Sequence, residues 1–225
     1  MSTLIISGGH VDICCMKRYL RGKYFEHVIA VDAGVKAAEQ LAICPDYLVG
    51  DFDTLPQEHL EKYEQNPDVM IRRFCAEKDD TDTEIAVELA GTLEQEKKGE
   101  VVILGATGTR LDHTLANLLL MERLAEKGIS AYCVDAYNRI SVHMQSFCIK
   151  REEQYGDYVS FVALTPTVEG LTLKGFRYPL ENRVLHQNVS LCISNEVNHE
   201  VAGVTFETGI LLMVEAKDQI QGEPV

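Results

Sequence analysis

The sequence predicts an α/β domain, with a mostly parallel sheet and helices on both faces, followed by a smaller all-β sandwich. Three observations carry that expectation. Short β-branched runs alternate with amphipathic stretches up to about residue 135; helical periodicity then gives way to short alternating runs; and turn residues punctuate those runs closely. Hydrophobic residues make up 46% of the chain and charged residues 25%, interspersed along the whole length, so a packed globule is expected rather than a disordered chain.

In order, Leu4–Ile6, Val28–Val31, Tyr47–Val49, Val69–Ile71, Val101–Leu104 and Ala131–Val134 read as strands. Between them, 11–21, 34–42, 56–65, 80–97 and 111–127 carry helical spacing. Strict alternation of strand and helix implies right-handed crossovers and parallel pairing. The later runs, 139–149, 158–164, 168–174, 183–193, 200–206 and 210–215, read as strands of an antiparallel sandwich or barrel, broken at Gly156-Asp157, Gly170, Gly175, Pro179 and Asn198. The boundary is placed so that 1–137 form the α/β domain and 138–225 the β domain.

Bulk charge narrows the function. A formal charge of −14 argues against non-specific binding to nucleic acid or to an anionic membrane, both of which need a basic surface. The opening MSTLIISGGHVD lacks the basic start and long apolar run of an export signal. No apolar run reaches the roughly 20 residues of a membrane span. The seven cysteines are scattered without a C-x-x-C pair, so reduced thiols and a cytoplasmic location are expected.

In open α/β sheets ligands bind beyond the carboxyl ends of the strands, and those positions are acidic here. Asp32 follows the second strand, Asp51 and Asp53 the third, Asp79, Asp80 and Asp82 the fourth, and Asp112 the fifth. Crowded carboxylates raise one another's pKa unless a cation holds them, and Mg²⁺ uses a few carboxylates together with water and phosphate oxygens. Asp51, Asp53, Asp79 and Asp82 are therefore the candidate metal ligands. For any single Asp, capping of the next helix is the alternative.

Cations fall in the same loops: Arg72, Arg73, Lys78, Arg110 and His113, suited to phosphate oxygens that a metal leaves uncovered. Segment 105–113 places glycines between a strand and a helix, where backbone N–H groups can cradle a phosphate. Neither a P-loop nor a Rossmann G-x-G-x-x-G is present. A metal-dependent glycosyltransferase using Asp51-Phe52-Asp53, or a non-catalytic nucleotide sensor, remains compatible with parts of the pattern.

Several segments, in order, resemble the thiamine pyrophosphokinase family of the bacterial type. Asp32-Ala33-Gly34 is similar to the family's D-G-G, and Pro45-Asp46 through Gly50-Asp51-Phe52-Asp53-Thr54 to its P-D-x-x-x-G-D-F-D-S. Lys78-Asp79-Asp80-Thr81-Asp82 matches K-D-x-T-D, and Gly105 to Asn117, GATGTRLDHTLAN, is similar to G-x-x-G-G-R-x-D-H-x-x-x-N. In the second part, Gly170-Leu171 with Gly175 to Leu180 resembles G-L … G-L-x-W-x-L, and Ser194-Asn195-Glu196 matches S-N-E. Three departures stand out: Tyr178 replaces a common Trp, and Thr109 and Ala33 each replace a Gly.

The resemblance implies an α/β domain followed by a β-sandwich, assembled as a homodimer with sites between subunits. It also implies a Mg²⁺-dependent transfer of the pyrophosphoryl group of ATP to thiamine, releasing AMP. Asp51, Asp53, Asp79 and Asp82 would then hold the metal, and Asp32, Lys78, Gly108, Arg110, Asp112 and His113 would surround the nucleotide. Tyr178, Ser194 and Asn195 would face thiamine. Asp82, Arg110 and Lys78 would act in catalysis, with Asp82 accepting the hydroxyl proton.

Overall fold

A computed structural model describes residues 2–52, 57–73, 80–96 and 99–219. The chain divides into two compact units, Met1–Ala136 and Tyr137–Val225. In the first, strands β1 (Ser2–Ile6), β2 (His27–Val31), β3 (Tyr47–Gly50), β4 (Met70–Arg73), β5 (Glu100–Leu104) and β6 (Ser130–Val134) alternate with α1 (Ile13–Tyr19), α2 (Gly34–Leu41), α3 (Gln57–Glu64), α4 (Asp82–Glu94) and α5 (Leu111–Glu126). The strands lie in the order β4-β3-β2-β1-β5-β6, and every adjacent pair is parallel.

The middle strands are hydrophobic on both sides: Leu4, Ile5 and Ile6 of β1 and Ile29 and Ala30 of β2 have no exposed surface. That pattern is what a parallel sheet covered on two faces requires. Helix α1 packs on α2 and α4 on α5, and α4 crosses over β1, β2 and β3 as the chain returns from β4 to β5. Successive strands step one way from β1 to β4, and β5 then begins on the other side of β1. Right-handed crossovers consequently send the later helices to the opposite face. The reversal leaves a crevice between the carboxyl ends of β1 and β5.

Helix ends follow local chemistry. Asp12 caps α1 by accepting from Cys15 N at 2.7 Å, and Ala42 ends α2 in the left-handed conformation. Thr81 caps α4 through Glu84 N at 3.2 Å.

The second unit contains β7 (Asn138–His143), β8 (Phe147–Lys150), β9 (Tyr158–Ala163), β10 (Thr167–Lys174), β11 (Leu180–His186), β12 (Val201–Thr205) and β13 (Leu211–Ala216). Strands β7-β13-β9 pair antiparallel, as do β11-β10-β12-β8. Residues of both sheets meet in one core, with Phe161 of β9 and Met213 of β13 facing Leu171 and Leu173 of β10 and Val204 of β12. The result is a β-sandwich.

Two expected runs are corrected. The run 139–149 is two strands of different sheets, because Met144–Ser146 make a turn between β7 and β8. The run 183–193 is also wrong in extent: β11 covers Leu180–His186, and 187–193 form turns that leave Val189, Leu191 and Ile193 about half exposed. Among the described residues no helix is long and apolar enough to cross a membrane. The six cysteines among the described residues are free, and burial pushes the thiols of Cys133 to about 12 and Cys192 to about 11.

Candidate active site

The loops that leave β1, β2, β3 and β5 and the start of α4 enclose a cleft of about 640 Å³ at the crevice between β1 and β5. Its wall includes Ser7–His10 after β1, Asp32 after β2, Asp51 after β3, Asp80–Thr83 at the start of α4, and Gly105–Arg110 after β5. The two glycine-containing loops touch directly. A Cβ on Gly9 would stand 2.3 Å from the carbonyl oxygen of Gly105, so only glycine allows this approach. Asn117, buried within α5, donates to Ala106 O at 2.9 Å and pins the β5–α5 loop from beneath.

Asp32 is the electrostatic centre of the cleft. Its backbone is left-handed, with φ 45°, as is that of Phe52, with φ 58°. Phe52 N–H donates to the Asp32 carboxylate, while its ring packs in a cluster with Leu48, Leu60 and Tyr63. A Cβ on Gly50 would lie 1.8 Å from Asp32 Oδ1, which explains the glycine of G-D-F-D: it makes room for that carboxylate. Oδ1 itself is buried without a hydrogen-bond partner. Burial, reinforced by the neighbouring carboxylates of Asp82 and Asp51, pushes Asp32 up to about 7.

Helix capping does not account for Asp32 or Asp82. The residue at the start of α2 is Ala33, with no side-chain cap, and α4 is capped by Thr81. Asp82, in the first turn of α4, instead stands close enough to Asp32 for its charge to raise that carboxyl. Of the four candidate metal ligands, Asp51 and Asp82 are on the cleft wall, whereas Asp53 and Asp79 lie outside the described residues. Lys78 does as well. Among the described residues no ready-made group of three His, Cys, Asp or Glu ligands is assembled.

The cations divide unequally. Arg110 and His113 are on the wall of the cleft, as is Gly108 of the loop after β5. Asp112 is set back from it and grips the Arg110 guanidinium in a two-bond fork, Nε–Oδ1 3.2 Å and Nη2–Oδ2 2.6 Å. The hydrogen bond from Arg110 and the adjacent charges hold the Asp112 carboxyl down at about 2. Arg72 and Arg73 stand at the end of β4 away from the cleft wall, and Arg73 pairs with Glu64.

In the β unit, Tyr178 is 58% exposed and Ser194 is exposed, with a left-handed φ of 56°. Asn195 is different: it is 3% exposed, and its amide is spent on backbone. Its Nδ2 donates to Tyr178 O at 2.8 Å, and its Oδ1 accepts from Tyr178 N at 3.0 Å and Glu196 N at 2.9 Å. This geometry makes Asn195 the brace of Tyr178 rather than an open ligand contact. The Arg177 guanidinium lies 5.5 Å from the Tyr178 ring centre and pairs with Glu196 at 2.6 Å.

Sequence reasoning missed Ser7, Gly9, His10 and Thr83, all on the cleft wall. The signal lies in the S-G-G-H that follows the first strand, at a carboxyl end like the others but without an acid.

Fold and cleft together define an open α/β protein whose switch-point crevice joins glycine loops to crowded carboxylates. Residues 22–133 match the family model described as thiamin pyrophosphokinase, catalytic domain, and residues 145–211 the model described as thiamin pyrophosphokinase, vitamin B1 binding domain. The thiamine pyrophosphokinase of Bacillus subtilis is 32% identical over 88% of this chain and 92% of its own length. Its crystal structure superposes with a TM-score of 0.84 at 30% identity, covering 97% of this chain and all of that one. The thiamin pyrophosphokinase of Geobacillus thermodenitrificans gives 0.81 at 31% identity, covering 97% and 99%. The chain belongs to the thiamine pyrophosphokinase family.

Proposed function

We propose that the chain transfers the pyrophosphoryl group of ATP to the hydroxyl of thiamine, giving thiamine diphosphate and AMP, with Mg²⁺ as the metal. The observation that carries this reading is the convergence of Asp32, Asp51 and Asp82 on one cleft wall that also carries the Gly105–Arg110 loop. The donors fit Mg²⁺: hard carboxylate oxygens, one buried without a partner, in a set that among the described residues is too small to complete a cage. Mg²⁺ characteristically fills such a set with water and substrate phosphates. Asp51 and Asp82 would hold the ion, joined by Asp53 and Asp79. When bound, the ion supplies neutralisation of the phosphate charge.

The residues of the chain do the remainder. An aliphatic hydroxyl is a weak nucleophile and ATP repels it, so the work is positioning and charge stabilisation. The 105–110 loop cradles phosphate oxygens, and Arg110, aimed by Asp112, meets the charge that develops on them, with Lys78 assisting. Gly108, Asp32 and His113 complete the nucleotide surround. Asp82 accepts the proton of the thiamine hydroxyl. Tyr178 stacks on thiamine's aromatic system beside Ser194, its backbone held by Asn195. The active form is a cytoplasmic homodimer with sites at the subunit interface.

The test is a chromatographic assay for AMP and thiamine diphosphate from ATP and thiamine, with and without EDTA. Equimolar AMP and thiamine diphosphate, lost with EDTA, are expected. Release of ADP, or turnover indifferent to EDTA, would overturn the reading.

A further inference from the structure

The hydroxyls of Ser7 and Thr83 are 2.6 Å apart, buried, and separated by 76 positions in the chain. Ser7 is 4% exposed and Thr83 9%, and both belong to the cleft wall. Ser7 is fixed at its backbone, since its N–H donates to Leu104 O at 2.8 Å, joining the end of β1 to the end of β5. A Cβ on Gly105 would meet Ser7 O at 2.4 Å, so the two strand ends are in close contact at this point. Thr83 sits in the first turn of α4, one residue after Asp82 and two after the cap Thr81.

We propose that this hydroxyl pair is a positioning device that pins the first turn of α4 to the switch point and so sets where the Asp82 carboxylate stands. This role presupposes that the cleft carries out the proposed pyrophosphoryl transfer. The Thr81 cap fixes the helix end relative to its own chain, since its partner is Glu84 of the same turn. It does not fix α4 relative to β1. Apolar packing of α4 on the sheet is non-directional and tolerates sliding, whereas a buried hydrogen bond has a length and an angle. Ser7 and Thr83 supply the directional tie at the end of α4 that carries Asp82. Neither hydroxyl needs to touch a reacting atom, so both are positioning residues. A carboxylate displaced by an ångström in such a site lowers turnover without abolishing binding.

A double-variant cycle separates positioning from mere burial. Ser7→Ala and Thr83→Val each strand one buried hydroxyl or its vacancy, whereas the double variant removes both polar groups and is close to neutral for stability. Three quantities are read on the full chain: urea stability, kcat and KM for AMP formation, and Mn²⁺ binding by EPR in the presence of a non-hydrolysable ATP analogue. The single variants are expected to lose stability, to lower kcat about tenfold with little change in the KM for ATP, and to bind Mn²⁺ more weakly. In the double variant stability returns while kcat and Mn²⁺ affinity stay low. Thr83→Ser, which keeps the hydroxyl, retains both. Recovery of kcat and Mn²⁺ affinity together with stability in the double variant would reduce the pair to packing and overturn the proposal, as would unchanged kcat in the single variants. If the parent protein makes no AMP at all, the kinase reading fails on its own, and the Mn²⁺ titration still decides whether the pair positions Asp82.

Discussion

The cleft of the α/β unit and the Tyr178 surface of the β unit handle polar groups in opposite ways. In the cleft, like charges are crowded, Asp32 keeps a buried oxygen without a partner, and burial lifts its pKa to about 7. Around Tyr178 the buried amide of Asn195 makes three hydrogen bonds to backbone. A site for a cation and polyphosphate needs charge that the protein leaves uncompensated until the ligand arrives. A surface for an aromatic ring needs a side chain held still. The first is costly to the free protein and the second is stabilising.

That difference is most sharply broken at Asp82. Asp82→Asn is expected to lower kcat for AMP formation about a thousandfold, roughly 4 kcal/mol of transition-state stabilisation, while thermal stability holds or rises because a like charge beside Asp32 is gone. Loss of stability in step with activity would mean that Asp82 is a structural acid. The β unit gives the opposite response. Glu215 is fully buried and receives both Nε and Nη2 of Arg139 together with Tyr155 N at 3.1 Å. Arg139→Ala strands that carboxylate and should cost about 3–5 kcal/mol in urea denaturation. A cost under about 1 kcal/mol would show that Glu215 finds another partner.

A smaller effect separates the brace from the contact. Asn195→Ala frees the Tyr178 backbone and should raise the KM for thiamine about tenfold, leaving the KM for ATP unchanged. Tyr178→Phe keeps the ring and should change little, whereas Tyr178→Ala should match or exceed the Asn195 effect. If Asn195→Ala acts on ATP instead, the division of labour between the two units is wrong.

How much of this was legible in the sequence follows from what each element buries. The six strands of the first unit announced themselves because parallel strands covered on both faces are unbroken apolar runs, as in Leu4-Ile5-Ile6. Edge strand β11 did not. Of its seven residues Leu185 alone is buried, Asn182 is left-handed with φ 45°, and no alternation survives. The segment Val189-Ser190-Leu191-Cys192-Ile193 alternates well and is nevertheless a turn that buries Cys192 and leaves its larger apolar residues half exposed. Period-2 spacing marks a strand only where one face has a core to meet. In the site, Asp32, Asp51 and Asp82 were legible from their place after strands, because charge at a strand end has few structural uses. Ser7 and Thr83 were not, since their partnership spans 76 positions and neither residue type is unusual alone. Asn195 was legible as a residue but not as a role: the motif marks the position, and the fold turns its amide inward toward Tyr178.

The mildest test concerns His143, in the same β unit. Its ring stacks on Phe147 with centroids 3.7 Å apart, and Nε2 lies 2.8 Å from Ser141 Oγ. Burial without a carboxylate partner pulls the imidazole down to about 4, from an ordinary value of 6.5. Between those values the unfolded chain binds a proton that the folded chain refuses, so stability is full above pH 6.5 and declines as the pH falls through that window toward 4. On going from pH 7.5 to 5.5 the urea midpoint should fare worse in the parent protein than in His143→Phe, which keeps the stack and removes the titration. Equal pH dependence in the two proteins would place the acid sensitivity elsewhere, and Asp32 cannot supply it: its carboxyl, held above the ordinary range, makes the folded state more stable, not less, as the pH falls.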